Sequence, residues 1–204
     1  RAWRKEHASN VSMAAAWMAA SVRALRAHDL DPGRGVFTMM NCRRYLPEGI
    51  AVQGNFATGP YLLPDDLADP KSLGAELTAA TDTGVPLVLL AAMATRSLIR
   101  RGRTRPDTKI IPGAPTKINL SHFGRITADD VDWLDEPAQQ GGAEYVVGPE
   151  PSGPDAITYV FAQTPYGMQL SATAYPVCTD IDALRRAMHS VAEDPVALLN
   201  DAST

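Results

Sequence analysis

Apolar side chains recur along the chain at spacings that predict four helices and five extended segments. The first predicted helix has an apolar residue at alternating steps of four and three, which places these residues on one side of the helix. Ser9 or Asn10 can cap its N-terminus. The stripe, which we predict to be a wall of the core, consists of Val11, Ala15, Met18, Val22 and Leu25.

Two more helices are predicted in tandem near the middle of the chain. Asp69 followed by Pro70 is typical of an N-cap with proline in the first helical position. Gly84 ends this helix, and Pro86 opens the next, predicted from Val85 to about Arg101. The inward residues of the first are Leu73, Leu77 and Ala80, and the second is apolar through Val88, Leu89, Ala92, Met93 and Ile99.

A last helix is predicted near the C-terminus, where Thr179 or Asp180 can act as the N-cap. We expect the tail from Pro195 to be frayed, because chain ends seldom make enough contacts to stay ordered. The apolar stripe of this helix consists of Ile181, Leu184, Met188 and Val191.

The extended segments lie between the helices. Val36–Asn41 is apolar on both faces, as in the centre of a helix-covered sheet, and Lys117–Ser121 alternates polar with apolar residues. A further extended segment is Phe56–Leu63, and Ala156–Gln163 with Met168–Tyr175 form a predicted hairpin. The interleaving predicts one α/β domain over residues 1–204, a mixed β-sheet covered by helices.

Composition limits the classes of function. The chain has 204 residues, which is enough for a substantial single core, and a net charge of -4 argues against nucleic acid or an anionic membrane as a partner. No apolar run is long enough to cross a bilayer, and two cysteines are too few for a disulfide scaffold. The low cysteine count fits a reducing compartment, so we expect a cytoplasmic protein. The four histidines are scattered along the sequence, so we expect no metal site. The chain begins at Arg1 without methionine, so we also expect missing upstream sequence.

The segment from Asn41 to Asn55 has a pattern that folding alone does not require. A strand leads into paired arginines, then into a turn containing proline, and the segment ends in Gly-Asn. Gly54 suggests a backbone that approaches something closely or adopts a positive φ. Asn55 offers a hydrogen-bond donor and an acceptor at the same place.

This pattern resembles the C-terminal half of the chloramphenicol acetyltransferase-like superfamily, which includes condensation domains and acyl-CoA transferases. Ser9–Leu25 is similar to the helix that opens that half. Ile118–Ile126 resembles its Ser-Asn-x-Gly strand, and Tyr166–Tyr175 resembles a late strand that ends in an aromatic residue. The four motifs occur in the order of the family across most of the chain, so the resemblance implies the C-terminal lobe of a two-lobed enzyme.

The resemblance implies transfer of an acyl group from a thioester on coenzyme A or a carrier protein to an amine or hydroxyl, in secondary metabolite or lipid biosynthesis. The family's histidine, in a His-His-x-x-x-Asp-Gly motif, belongs to the N-terminal half. That motif is absent from this sequence. The implied partners are therefore a catalytic N-terminal lobe and, where the donor is carrier-bound, an acyl or peptidyl carrier protein. The implied donor is a substrate, and no bound cofactor is expected.

The resemblance also assigns roles to individual residues. Arg43 matches the arginine that pairs with the motif aspartate across the two lobes, a task that suits a bidentate guanidinium. Two alternatives stay open, that Arg44 is the arginine that turns inward or that Arg43 is a solvated surface residue. His122 stands where the family often has asparagine. The residues implied along the substrate channel are Asn41, Asn55, Ser121 and His122.

Two other functions remain open from the sequence. One is a non-catalytic binding or scaffolding domain of the same fold that recognises a carrier protein or an acyl chain. The other is a stand-alone enzyme of another family in which His122 acts as the base. A serine hydrolase of the α/β type is excluded, since the sequence has no Gly-x-Ser-x-Gly motif.

Overall fold

The computed structural model describes residues 2–52, 56–99, 117–125, 153, 155–164 and 167–200. Within these ranges the α-helices are α1 (Ala2–His7), α2 (Met13–Ala27), α3 (Pro70–Asp82), α4 (Val85–Ile99), α5 (Ile181–Glu193) and α6 (Pro195–Asn200). A short 3-10 helix spans Cys42–Tyr45. The strands are β1 (Val36–Asn41), β2 (Ala57–Thr58), β3 (Tyr61–Leu62), β4 (Lys117–Arg125), β5 (Ala156–Thr164) and β6 (Gly167–Thr173).

The strands form one mixed sheet in the order β2-β1-β4-β5-β6, and β3 also pairs with β1. Strands β1, β4 and β5 are parallel neighbours, whereas β2, β3 and β6 pair antiparallel. Val36 is aligned with Ile118, and Ile118 with Ile157, so these side chains lie on the same face of the sheet. The predicted mixed sheet with helices is confirmed.

Helix α2 is the wall of the core that its apolar stripe predicted. All five stripe residues are no more than 2% exposed. The predicted cap at Ser9 or Asn10 is wrong, because the backbone turns once more before the helix begins and Val11 N donates to Ala8 O over 3.0 Å. Ser12 is the N-cap, and its Oγ accepts a hydrogen bond from Ala15 N over 3.1 Å.

The core lies between α2 and one face of the sheet. Ile118, Leu120 and Phe161 are buried there, and the ring of Trp17 from α2 lies 6.1 Å from that of Phe161. Tyr159 is fully buried beside Phe161, and this burial raises the pKa of its phenol above the usual value. The apolar residues of β4 and β5 thus fix the sheet against the helical layer.

Residues Pro195–Asn200 form a helix, so the prediction of a frayed tail from Pro195 is wrong for these residues. Asp180 caps α5 through its Oδ1, which accepts hydrogen bonds from Asp182 N and Ala183 N. The chain continues directly into α6. Arg23 of α2 donates from Nη1 to the carbonyls of Leu198 and Leu199 over 3.0 and 3.2 Å. Carbonyls at a helix end have no partner within the helix, so this contact stabilises the tail against α2.

Helices α3 and α4 begin where the sequence predicted, but α4 is largely exposed. Asp69 caps α3 by accepting hydrogen bonds from Lys71 N and Ser72 N, each over 3.0 Å. In α4, Val88 is 67% and Met93 60% exposed, so these two apolar side chains do not enter the core. The hydrophobic pattern predicted the helix correctly, yet it could not show which surface would cover it.

Among the described residues, no single helix has the length and hydropathy to cross a membrane. The pair Pro70–Asp82 and Val85–Arg96 passes the same test together, by length and composition, with a 61° bend at the break between them.

Candidate functional site

An open cavity of about 590 Å³ lies where the parallel strands β1 and β4 end. In sheets of this kind, ligands bind outside the carboxyl ends of parallel strands, because neighbouring loops diverge there and leave a crevice. Met39, Met40 and Leu77 contribute apolar surface to the cavity. The polar lining residues are Ser12 before α2, Thr38 and Asn41 of β1, Arg44 of the 3-10 helix, Thr78, Thr81 and Asp82 of α3, and His122 of β4.

The 3-10 helix after β1 shapes one side of the cavity. Asn41 caps it, since its Oδ1 accepts a hydrogen bond from Arg43 N over 3.0 Å. Cys42 is buried beneath it. Tyr45 donates from its hydroxyl to Thr81 O over 2.8 Å and so ties the 3-10 helix to the end of α3. Arg44 lines the cavity, and its guanidinium carbon lies 6.0 Å from the centre of the Tyr45 ring, a cation–π distance.

The two neighbouring arginines have different positions. Arg43 donates from Nε and Nη2 to the single carbonyl oxygen of Val52, over 3.2 and 3.0 Å, and thereby holds the turn that follows the 3-10 helix. Arg44 lines the cavity. Of the two arginines left open by the sequence, Arg44 is therefore the one at the cavity, and the role of Arg43 between two lobes stays a prediction.

His122 brings a titratable group to the cavity. It is partly buried, and burial lowers the pKa of its imidazole below 6.5, because a charged ring would lose hydration there. The ring is thus neutral near pH 7. In the part of the chain that the structure describes, no protein group forms a hydrogen bond with it. A neutral imidazole in this state can accept a proton or a hydrogen bond from a ligand.

The four residues predicted to line the substrate channel do not all lie at the cavity. Asn41 and His122 line the cavity together. Ser121 precedes His122 on β4, so it points to the other face of the sheet, the face that Asn119 shares. Asn55, with its neighbour Gly54, lies outside the described residues.

Sequence reasoning missed the contribution of α3 to the cavity. Thr81 and Asp82 lie in its last turn, about forty residues before His122. The pattern of α3 predicted only which residues face the core, and nothing in it marks the C-terminal turn.

Within the described ranges, no group of three or more His, Cys, Asp or Glu side chains could hold a metal ion.

Comparison with known proteins rests on structure. No family model matches the sequence, and no curated protein matches it. The structure is similar to the epimerization domain from the third module of tyrocidine synthetase B, with a TM-score of 0.56 and 11% sequence identity over 95% of this chain. It is also similar to PapA2 acyl transferase, with a TM-score of 0.51 and 12% identity over 97% of this chain.

The chain has the chloramphenicol acetyltransferase-like fold. The resemblance inferred from four short motifs is therefore confirmed at the level of the fold. This chain spans 43% of the epimerization domain and 41% of PapA2 acyl transferase. It thus corresponds to less than half of either structure. In this fold, the cavity lies beside Arg44.

Proposed function

We propose that this chain is the C-terminal lobe of a two-lobed acyltransferase or condensation enzyme. The donor is an acyl thioester on coenzyme A or on the phosphopantetheine of a carrier protein. An amine or hydroxyl attacks the thioester carbonyl carbon, the C–S bond breaks, and the thiol leaves. A base takes the proton from the nucleophile and returns one to the sulfur, so the products are an amide or ester and a free thiol.

The observation that carries this proposal is the open cavity at the carboxyl ends of β1 and β4 in a fold shared with PapA2 acyl transferase. The cavity is large enough for a small substrate and combines apolar with polar lining. His122 and Asn41 both reach it. We assign it to the lobe's side of the acyl-transfer cleft.

The general base belongs to a partner lobe in this proposal, because the His-His-x-x-x-Asp-Gly motif is absent here. Both structural neighbours are more than twice as long as the part this chain covers. Arg43 then pairs with the aspartate of that motif while it holds Val52 O. The rigid fork of a guanidinium can hold a carboxylate and a carbonyl in one fixed arrangement.

We further propose that the exposed apolar side of α4 packs against that N-terminal lobe. Val85, Leu87, Val88 and Met93 are 37–67% exposed on it. Helix α4 also packs beside β2, where Thr58 Oγ1 donates to Met93 Sδ over 3.4 Å, next to the strand that ends at the cavity. An apolar surface continuous with the cleft fits the lobe that must close over the cleft.

Reconstitution tests the function. The chain is mixed with the lobe that carries the His-His-x-x-x-Asp-Gly motif, and thiol release from acyl-CoA or an acyl-carrier protein is followed with an amine acceptor. We expect turnover from the mixture and none from either part alone. Turnover by this chain alone would support a self-contained enzyme based on His122. Carrier binding without turnover by the mixture would support the scaffolding function.

A pair of substitutions tests the docking surface. Val88→Asp and Met93→Asp should each weaken binding to the N-terminal lobe at least tenfold in calorimetry, since each places a charge in an apolar contact. Val177→Asp is the matched control, because Val177 is 68% exposed and lies outside α4. Unchanged binding in both α4 variants contradicts the surface. If these variants instead abolish self-association or vesicle flotation, the occupant is a second copy or a membrane.

A further inference from the structure

Two opposite charges line the cavity without pairing. Arg44 and Asp82 both belong to its lining. Within the described ranges neither forms a salt bridge, whereas other charged pairs on the surface do, such as Lys117 with Asp155 at 2.8 Å. A cation and an anion that share a concave site but remain apart can each take a complementary group of one ligand.

The two segments that carry these charges are joined by one side chain. Tyr45 has the Arg44 guanidinium 6.0 Å from its ring centre and binds Thr81 O, in the residue before Asp82, through its hydroxyl. The 3-10 helix that carries the cation is therefore tied to the helix end that carries the anion. Joining the two segments before binding lowers the entropy lost when a ligand binds.

The remaining lining limits the class of ligand. Among the lining residues that the structure describes, Arg44 and Asp82 cancel and the partly buried His122 is neutral near pH 7, so these groups sum to zero charge. A ligand with a net charge would leave one of the two groups unmatched. The hydroxyls of Thr38 and Thr81 would also lose hydration against an acyl chain without gaining partners.

We propose that the cavity binds a small zwitterion, an α-amino acid or a close derivative, as the acceptor of the reaction. Its carboxylate pairs with the Arg44 guanidinium and its ammonium group with the Asp82 carboxylate. Before attack on the thioester the ammonium group releases one proton to solvent, so that the neutral amine is the nucleophile. Asn41 and the neutral ring of His122 offer hydrogen bonds to the part of the ligand between its charged ends. The assignment as an acceptor rests on the proposed function, whereas the binding itself does not.

Four probes of similar size test the binding on the 204-residue chain: L-2-aminobutyrate, butyrate, propylamine and glycerol. Affinities are measured by NMR chemical-shift titration at pH 7 and low salt. We expect L-2-aminobutyrate to bind about fivefold more tightly than butyrate or propylamine, as each partly exposed ion pair adds a modest gain. Glycerol, which has no charge, should bind most weakly.

Charge-removing variants locate the two contacts. In Arg44→Gln, L-2-aminobutyrate should bind no better than propylamine, and in Asp82→Asn it should bind no better than butyrate. The matched controls are Arg186→Gln and Asp65→Asn, which remove exposed charges outside the cavity lining. Both controls should keep the fivefold preference.

Two outcomes overturn the inference: equal affinities for the zwitterion and both singly charged probes, or a preference that survives in Arg44→Gln and Asp82→Asn. The test is separable from the proposed function. Zwitterion binding without acyl transfer by the assembled enzyme contradicts only the function. Acyl transfer to alcohols without zwitterion binding contradicts only this inference.

Discussion

The Tyr45 hydroxyl donates a hydrogen bond to the Thr81 carbonyl over 2.8 Å. This contact joins the 3-10 helix after β1 to the last turn of α3, two segments 36 residues apart in sequence. The Thr81 carbonyl also accepts a hydrogen bond from Gly84 N over 3.2 Å, so the tyrosine hydroxyl is a second donor at this helix end. The contact fastens one wall of the cavity to another.

Replacing Tyr45 with phenylalanine should lower the free energy of unfolding by about 1 kcal/mol, because the Thr81 carbonyl loses its side-chain donor. Urea denaturation measures the change. Tyr61→Phe is the control, since Tyr61 is 51% exposed, and should leave the stability within about 0.5 kcal/mol. An equal effect of both substitutions would show that the hydroxyl of Tyr45 contributes nothing specific.

Gly59 should tolerate no side chain. A Cβ built on it would lie 1.8 Å from the carbonyl oxygen of Thr38, a backbone atom that the β-sheet holds in place. Gly59→Ala must push β1 away from the β2–β3 segment, and we expect a loss of about 3 kcal/mol in unfolding free energy. Thermal or urea unfolding measures it, and a loss below about 1 kcal/mol would contradict the close approach.

Gly74 is the matched glycine for this comparison. It lies in α3, and a Cβ there would meet Val11 side-chain atoms at 3.5 and 3.6 Å, which is ordinary packing. Gly74→Ala should therefore raise the free energy of unfolding by about 0.5–1 kcal/mol, through helix propensity. A strong destabilisation in both variants would mean that general crowding, rather than contact with the Thr38 carbonyl, causes the loss of unfolding free energy.

His122 should make stability depend on pH. Burial lowers its pKa in the folded state, so between that value and 6.5 the unfolded chain binds more protons than the folded chain. The contribution to stability is complete above about 6.5 and falls as the pH decreases through 6.5 towards the folded pKa. His122→Gln should remove this part of the pH dependence in urea unfolding.

NMR titration of the His122 ring gives an independent measurement. We expect its midpoint below 6.5, in line with the cause of the shift, which is burial. A midpoint at or above 6.5 would contradict a desolvated ring and would also weaken the description of the cavity as uncharged at this residue.

Arg43→Ala should lower acyl transfer by the assembled two-lobed enzyme at least tenfold while it changes the stability of this chain by no more than about 1 kcal/mol. Arg43→Lys should not restore activity, because an ammonium group cannot reproduce the planar fork that holds Val52 O and a carboxylate. Arg34→Ala, which removes another exposed arginine, is the control. Transfer rates that are indifferent to Arg43 would refute its role between the lobes.

Local rules in the sequence determined most of the secondary structure. The four-three spacing from Val11 to Leu25 predicted a helix whose stripe is fully buried, and Asp69-Pro70 predicted the start of α3. These features depend on residues a few positions apart, and their side chains meet whenever the segment adopts its preferred conformation. The paired arginines and the segment Ile118–Ile126 also indicated the fold, because such motifs recur in a fixed order.

Only the tertiary structure decided which residues share the cavity and which surfaces are covered. It placed Arg44 rather than Arg43 beside His122, brought Asp82 to the same cavity, and ordered the tail through Arg23. It left Val88 exposed, which the apolar pattern of α4 did not reveal. Contacts between distant segments depend on how whole elements pack, and a one-residue shift along a strand reverses the face a side chain occupies, as Ser121 and His122 show.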